Sequence, residues 1–240
     1  MDNARQIVLD TETTGLEPGA GHRIVEIACL ELVGRTLTGE QFHRYVNPGR
    51  KSDPRALEVH GLSDAFLADK PRFGEIREHL CEFVRGAEVI IHNAEFDLAF
   101  LDAEMERLGL PGFVEQTNCK VCDSLALARN EFPGLQNSID ALSDRFSIDR
   151  SSRDEHHGAL VDADLLARIY LAMTGGQTAM FIQAHGASGD ENLPQLAGLG
   201  GAQAGGLPVI PASPGETARH GKFLDRLERE SRKGCIWPKN

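Results

Sequence analysis

Apolar positions change their period along the chain, and each change marks an element. Gln6–Asp10 is an apolar run, Ile24–Val33 is a second, and Gly39–Val46 is a third that closes at Asn47-Pro48-Gly49, a turn signal. The period then becomes helical. Pro71 opens a segment in which Phe73, Ile76, Leu80, Phe83 and Val84 recur at helical spacing, and Gly86 ends it. Glu88–His92 is a short apolar strand, Phe96–Leu108 returns to the helical period, and Val121 lies in a last short strand. Helices follow near Asp123–Asn130, Ser138–Phe146 and Gly158–Met173. Three strands, then alternating helices and strands, predict an α/β fold in which helices pack against a mixed sheet.

Composition alters this picture at Thr174-Gly175-Gly176. The 35 residues from Ile182 to Glu216 hold 8 Gly and 4 Pro and few apolar pairs, which reads as a flexible linker. Residues 217–237 regain charge and periodicity (Phe223, Leu224, Leu227, then Ile236-Trp237) but are too few to fold alone, so they are expected to dock on something. The expected organisation is one domain over residues 1–176 with a tethered end. No stretch of eighteen apolar residues exists, and Met1–Arg5 runs into a strand without a signal core, so a cytoplasmic protein with no membrane span is expected. The five cysteines (29, 81, 119, 122 and 235) are odd in number and irregularly spaced, against a disulfide framework. Cys119-Lys120-Val121-Cys122 has no second pair and reads as ordinary reduced thiols rather than a zinc site.

Charge narrows the partners. Residues 1–174 hold 18 Lys and Arg against 30 Asp and Glu, whereas residues 175–240 hold 7 against 6. An acidic body argues against broad neutralising contact with duplex DNA, yet permits a nuclease that grips a strand end through metal ions.

The candidate chemistry begins at Asp10 and Glu12. Alternating strand geometry puts both on one side, roughly 7 Å apart along the backbone, and hard divalent cations are the usual partner of such a pair. Alone the motif is weak, since about one Asp-x-Glu is expected by chance in a chain of this composition. Asp102-Ala103-Glu104 is such a copy, on what reads as a solvated helix face. Asp97 follows the strand ending at His92, where a helix N-terminus favours an acid either as a cap or as a ligand. Asp162 falls between apolar positions 161, 165 and 166 and needs a partner there: a base, backbone donors or a metal. The spacing of His157 from Asp162 proves nothing by itself, because His92–Asp97, His185–Asp190 and His220–Asp225 repeat it. The pair converges only if His157 sits in the turn before the helix, a placement Gly158 permits and the register of His156 does not. Two carboxylates ~4 Å apart at an effective dielectric of ~20 repel by about 4 kcal/mol. Two divalent cations would relieve that repulsion, activate a water and stabilise the leaving oxygen of a phosphodiester. A histidine with an ordinary pKa near ~6.5 suits the proton transfer.

In this order the residues resemble the DEDDh branch of 3′–5′ exonucleases. Asp10-Thr11-Glu12 matches its first motif, Asn93-Ala94-Glu95-Phe96-Asp97 its second and His157-x4-Asp162 its third. Gln6–Gly15, Ile91–Ala94, Asp123–Ala126 and Tyr170–Gln177 are closer still to the proofreading subunits of bacterial replicative DNA polymerases. The resemblance spans about residues 5–181 and returns near the C-terminus. It implies a ribonuclease-H-like mixed five-stranded sheet flanked by helices, with a flexible C-terminal extension. It further implies two Mg2+ or Mn2+ ions held by Asp10, Glu12, Asp162 and Asp97, with His157 as general base. His60 would contact substrate, and Thr13, Thr14, His92, Asn93 and Phe96 would wall the terminal nucleotide at a single-stranded DNA 3′ end. Gln177-Thr178-Ala179-Met180-Phe181 resembles a sliding-clamp-binding pentapeptide anchored by Gln177, Met180 and Phe181; otherwise it is the fraying end of the last helix. Residues 217–240 resemble the segment that binds the polymerase catalytic (alpha) subunit, and a small accessory subunit is a further possible partner. One departure stands out. These subunits carry a glutamate after Asp-Pro, whereas Asp53-Pro54 is followed here by Arg55, so that substrate contact is not carried over. An RNA-trimming exonuclease of the same branch is the alternative, because the chemistry at the phosphate is identical; the C-terminal extension favours replication.

Overall fold

The computed structural model describes residues 4–151, 153 and 158–185, with side chains described up to residue 175. Five strands form one sheet: β1 (Arg5–Thr13), β2 (Ile24–Val33), β3 (Thr36–Tyr45), β4 (Glu88–Ile91) and β5 (Lys120–Asp123), in the order β3-β2-β1-β4-β5. β1, β2 and β3 are joined by short connections and pair antiparallel, whereas β1–β4 and β4–β5 pair parallel. Parallel pairing requires crossovers. These are supplied by α1 (Pro54–His60), α2 (Asp64–Leu67) and α3 (Phe73–Val84) before β4, and by α4 (Ala94–Arg107) and α5 (Phe113–Thr117) before β5. α6 (Ser124–Glu131), α7 (Ile139–Phe146) and α8 (Ala159–His185) follow. The mixed five-stranded sheet flanked by helices is the architecture expected from the sequence.

β1 is central and covered on both faces, which explains its unbroken apolar start. Ile7 and Leu9 face α3 and α4 among Leu80, Phe100, Leu101 and Met105. Val8 faces the other way and packs with Ala28, Leu30 and Ile90 against α8. On α8 the contact row is Ala159, Ala163 and Ala167, four residues apart, so small side chains let the helix lie close to the sheet. Strand alternation carries Asp10 and Glu12 on from Val8, toward the first turn of α8.

Several elements differ from the sequence expectation. β1 continues to Thr13, with an irregular register between Glu12 and Thr13, rather than ending at Asp10. α1, α2 and α5 have 7, 4 and 5 residues, too short to display a helical period. α8 passes through Thr174-Gly175-Gly176 and its backbone stays helical to His185, beyond the expected linker start at 182. Arg35, in the β2–β3 turn, holds that passage by donating to Leu171 O at 2.8 Å and Thr174 Oγ1 at 2.9 Å. Residues 186–240, the rest of the linker and the docking segment, lie outside the described residues. Among the described residues no helix is long and apolar enough to cross a membrane.

Glu104 also departs from expectation. Its helix face is not solvated: the side chain is 2% exposed and receives both Arg23 Nε and Nη2 at 2.6 Å. This bidentate pair ties the start of β2 to α4. Arg23→Met leaves the Glu104 charge buried and should cost about 3 kcal/mol, the low end for a broken buried pair because Arg23 is partly exposed. The double variant Arg23→Met/Glu104→Met should recover most of that loss in urea unfolding.

Candidate active site

Asp10 and Glu12 on β1 and Asp162 in the first turn of α8 each bring a carboxylate oxygen within 4.8 Å of the others. Three hard oxygen donors at that separation fit a Mg2+- or Mn2+-type ion better than a soft-ligand metal. Asp97 arrives from the opposite side of β1. It is buried in the first turn of α4 and accepts from Thr11 Oγ1 at 2.6 Å. The cap position belongs to Asn93, in the left-handed conformation (φ 66°).

Burial, joined at Asp10 and Glu12 by repulsion from neighbouring carboxylates, raises Asp10, Glu12 and Asp97 well above the usual carboxylate range. Burial raises Asp10 most, with Asp97, Asp162 and Glu12 adding to it and Arg153 opposing. Glu12 is pushed up to about 8 by burial and then by Asp162 and Glu26, again against Arg153. Burial pushes Asp97 to about 7, opposed by the Thr11 hydrogen bond.

Positive charge reaches these acids from a residue the sequence reading did not select. Arg153 donates to Asp162 Oδ1 from Nε at 2.6 Å and to Oδ2 from Nη2 at 3.0 Å, and its Nη1 reaches Asp140 on α7. Its guanidinium thus pairs with an oxygen pair that a cation would use. A lone arginine among charged residues gave no periodic signal. Glu26 was also missed, although an acid inside the apolar run Ile24–Val33 was a usable clue. It is 2% exposed and directly opposite Glu12 in the β1–β2 register.

Beside the acids lies a cavity of about 470 Å³ lined by Glu12, Thr13, Arg55, His60 and Phe96 among others. His60 ends α1 rather than lying in a loop, and Gly61 beyond it takes φ 69°. Its Nδ1 accepts from Leu62 N–H at 3.0 Å, so in the neutral ring the hydrogen is on Nε2. Burial lowers the His60 pKa, partly offset by Glu26, which favours that neutral ring. Nε2 is buried without a protein partner, leaving a donor for a ligand acceptor.

The other expected wall residues are placed differently. Thr14 is fully buried, its Oγ1 3.1 Å from His22 Nδ1 and accepting from Arg23 N–H at 3.0 Å, and it is not among the residues lining the cavity beside the acids. His92, with Nδ1 2.9 Å from Ser124 Oγ, lines a separate cavity of about 580 Å³ beside Arg129 and Asn137. Asn93 borders both that cavity and a cleft of about 270 Å³ that adjoins Phe96 and Leu16. His157 lies outside the described residues, as do the side chains of Gln177, Met180 and Phe181.

Comparison with known proteins agrees with this geometry. Residues 7–170 match a family model described as Exonuclease (RNase_T). The chain is 46% identical over 241 residues to the DNA polymerase III subunit epsilon of Escherichia coli (strain K12), covering 97% of each chain. It is 49% identical over 183 residues to the same subunit of Rickettsia prowazekii, covering 75% of this chain and 79% of that one. Among solved structures, exonuclease X bound to 5′-overhanging duplex DNA superposes with a TM-score of 0.57 at 25% identity, over 72% of this chain and 93% of that chain.

Two outcomes follow from the charge balance. Glu12 rises from 4.5 to about 8 and Asp97 from 3.8 to about 7 on folding, so the folded protein holds more protons than the unfolded chain between those limits. Stability of the metal-free protein should therefore fall as pH rises from about 5 to 8, and saturating Mn2+ should flatten that slope in thermal melts. Arg153→Gln removes the guanidinium from Asp162. Melting in EDTA should drop more than in Mn2+, and calorimetry should show Mn2+ binding tightened by roughly threefold to tenfold, the range of one displaced charge contact.

Proposed function

The chain belongs to the exonuclease family, in the group of DNA polymerase III epsilon subunits, and from that premise we propose that it hydrolyses the terminal phosphodiester at mispaired DNA 3′ ends, in the cytoplasm, as the proofreading subunit of a replicative polymerase. The observation that carries the reading is the convergence of Asp10, Glu12 and Asp162 beside a cavity with an unpartnered histidine donor. Two Mg2+ or Mn2+ ions held by these three acids, with Asp97 behind Asp10, would supply the activated water and the charge on the leaving oxygen.

The residues divide the remaining work. Thr13 and Phe96 flank the terminal nucleotide, and His60 Nε2–H donates to one of its oxygens. Arg55, at the cavity edge, offers a cation to the strand where the related subunits carry an acid. His157 takes the proton from the attacking water; its neighbour Gly158 directly precedes α8, which presents Asp162. A mispaired end is already partly unpaired, so it reaches a single-strand site at lower energy than a paired end. Gln177, Met180 and Phe181 engage the sliding clamp, and residues 217–240 engage the polymerase alpha subunit across the 182–216 tether, which raises effective concentration. A small accessory subunit completes this set of partners.

Release of nucleotides from mismatched DNA ends in Mg2+ or Mn2+ tests the reading. Asp10→Ala should lower the rate by at least about 100-fold, as loss of several kcal/mol of cation-mediated stabilisation implies. Equal activity in that variant refutes the site, and faster trimming of RNA than DNA ends assigns the chain to RNA instead.

A further inference from the structure

Glu26 is a buried carboxylate that the hydrolytic scheme does not use. Its position opposite Glu12 places it on the α8 face of the sheet, where two acids in paired register repel. Yet it does not join the oxygen cluster of Asp10, Glu12 and Asp162, because both of its oxygens are engaged elsewhere. Oε1 lies 2.7 Å from His43 Nε2 on β3. A carboxylate oxygen accepts, so His43 Nε2 carries the hydrogen. Oε2 accepts from Ala159 N–H at 3.2 Å. Ala159 is the first residue of α8, and its amide is among those a helix leaves without an internal partner. The carboxylate also passes Gly158, where a Cβ would lie 3.7 Å from Oε2.

We propose that Glu26 is a positioning residue: oriented by His43, it pins the start of α8 to β2 and so fixes Asp162 against Asp10 and Glu12. The argument is geometric. Asp162 stands three residues beyond the pinned amide, less than one helical turn, so rotation or sliding of that turn moves its carboxylate directly. Aligning donors to within a fraction of an ångström is what cation sites require of the groups behind their ligands. The His43 ring meets Tyr45 edge-on at 4.9 Å, and Tyr45 meets Phe66 at 5.0 Å. Phe66 belongs to α2, which begins four residues after His60.

The catalytic part of the inference rests on the two-cation reading; the anchoring part does not. In the full-length, metal-free protein, Glu26→Ala should speed hydrogen exchange at the Ala159 amide at least about tenfold, with Ile169 further along α8 unchanged. In Mn2+ it should weaken cation binding and lower kcat by about 10- to 100-fold with KM for single-stranded DNA nearly constant. Glu26→Gln keeps an oxygen for Ala159 N–H and should restore both to within about threefold of wild type. His43→Ala, a milder change that guards against misfolding, should shift the same readouts in the same direction. Added to Glu26→Ala it should produce no further loss, as one coupled unit requires. Unchanged Ala159 exchange, or Mn2+ affinity in Glu26→Ala within twofold of wild type, overturns the proposal. A wild type that binds no Mn2+ sinks the two-cation reading instead, and Ala159 exchange still decides the anchor.

Discussion

Repulsion among Asp10, Glu12, Asp97 and Asp162 is the constraint to which the rest of this fold answers. Packing alone would separate these groups, since every apolar contact between β1 and its covering helices could be made with alanine or valine in their place. The fold instead drives them together with the apolar faces of β1, α4 and α8, and among the described residues the compensation includes a threonine hydroxyl on Asp97 and a guanidinium on Asp162. Buried acids with raised proton affinity are poised to take cations. The geometry of the site is set by hydrophobic burial and its chemistry by the carboxylates that burial brings together.

The two faces of β1 divide this work. Odd positions build the α3/α4 core and, at Thr11, reach Asp97; even positions pack on α8 and, at Asp10 and Glu12, meet Asp162. A one-residue slip of β1 against β2 would exchange the two sets, placing acids in the α4 core and leucine in the site. The buried Arg23–Glu104 pair, fastening the start of β2 to α4, opposes such a slip at the end of the sheet nearest the acids.

The legibility of each part in the sequence follows from how locally its cause is written. β2 was legible to the residue because ten positions buried almost throughout leave an apolar run with clear ends. The order of the acidic motifs was legible because strand and helix periods decide which way Asp10, Glu12 and Asp162 point. α1, α2 and α5 were not, being fixed by caps and tertiary contacts rather than by period. Glu104 looked solvated because its burial depends on an arginine 81 residues away. Arg153 and Glu26 escaped for the same reason: their roles are defined by partners on other elements. The direction of Thr14 was not legible because position along the chain says nothing of which way a bulged strand end turns.

His60 makes the same point on the substrate side. From sequence, His60 was expected at the substrate only through a resemblance, and only the fold shows why it is a neutral donor. Leu62 N–H occupies Nδ1, burial disfavours the cation, and Nε2–H is left buried without a partner on a residue that lines the cavity. In the reading proposed above, a ring so held is already in the tautomer that donates to a substrate oxygen, so no proton need move first. The acids are prepared in the opposite sense. Asp10, Glu12 and Asp97 are raised, so on the two-cation reading proposed above a cation must outcompete their protons. Burial thus acts in opposite senses on the two sets: it lowers His60 toward the neutral ring and raises Asp10, Glu12 and Asp97 toward the protonated acid, with repulsion adding at Asp10 and Glu12.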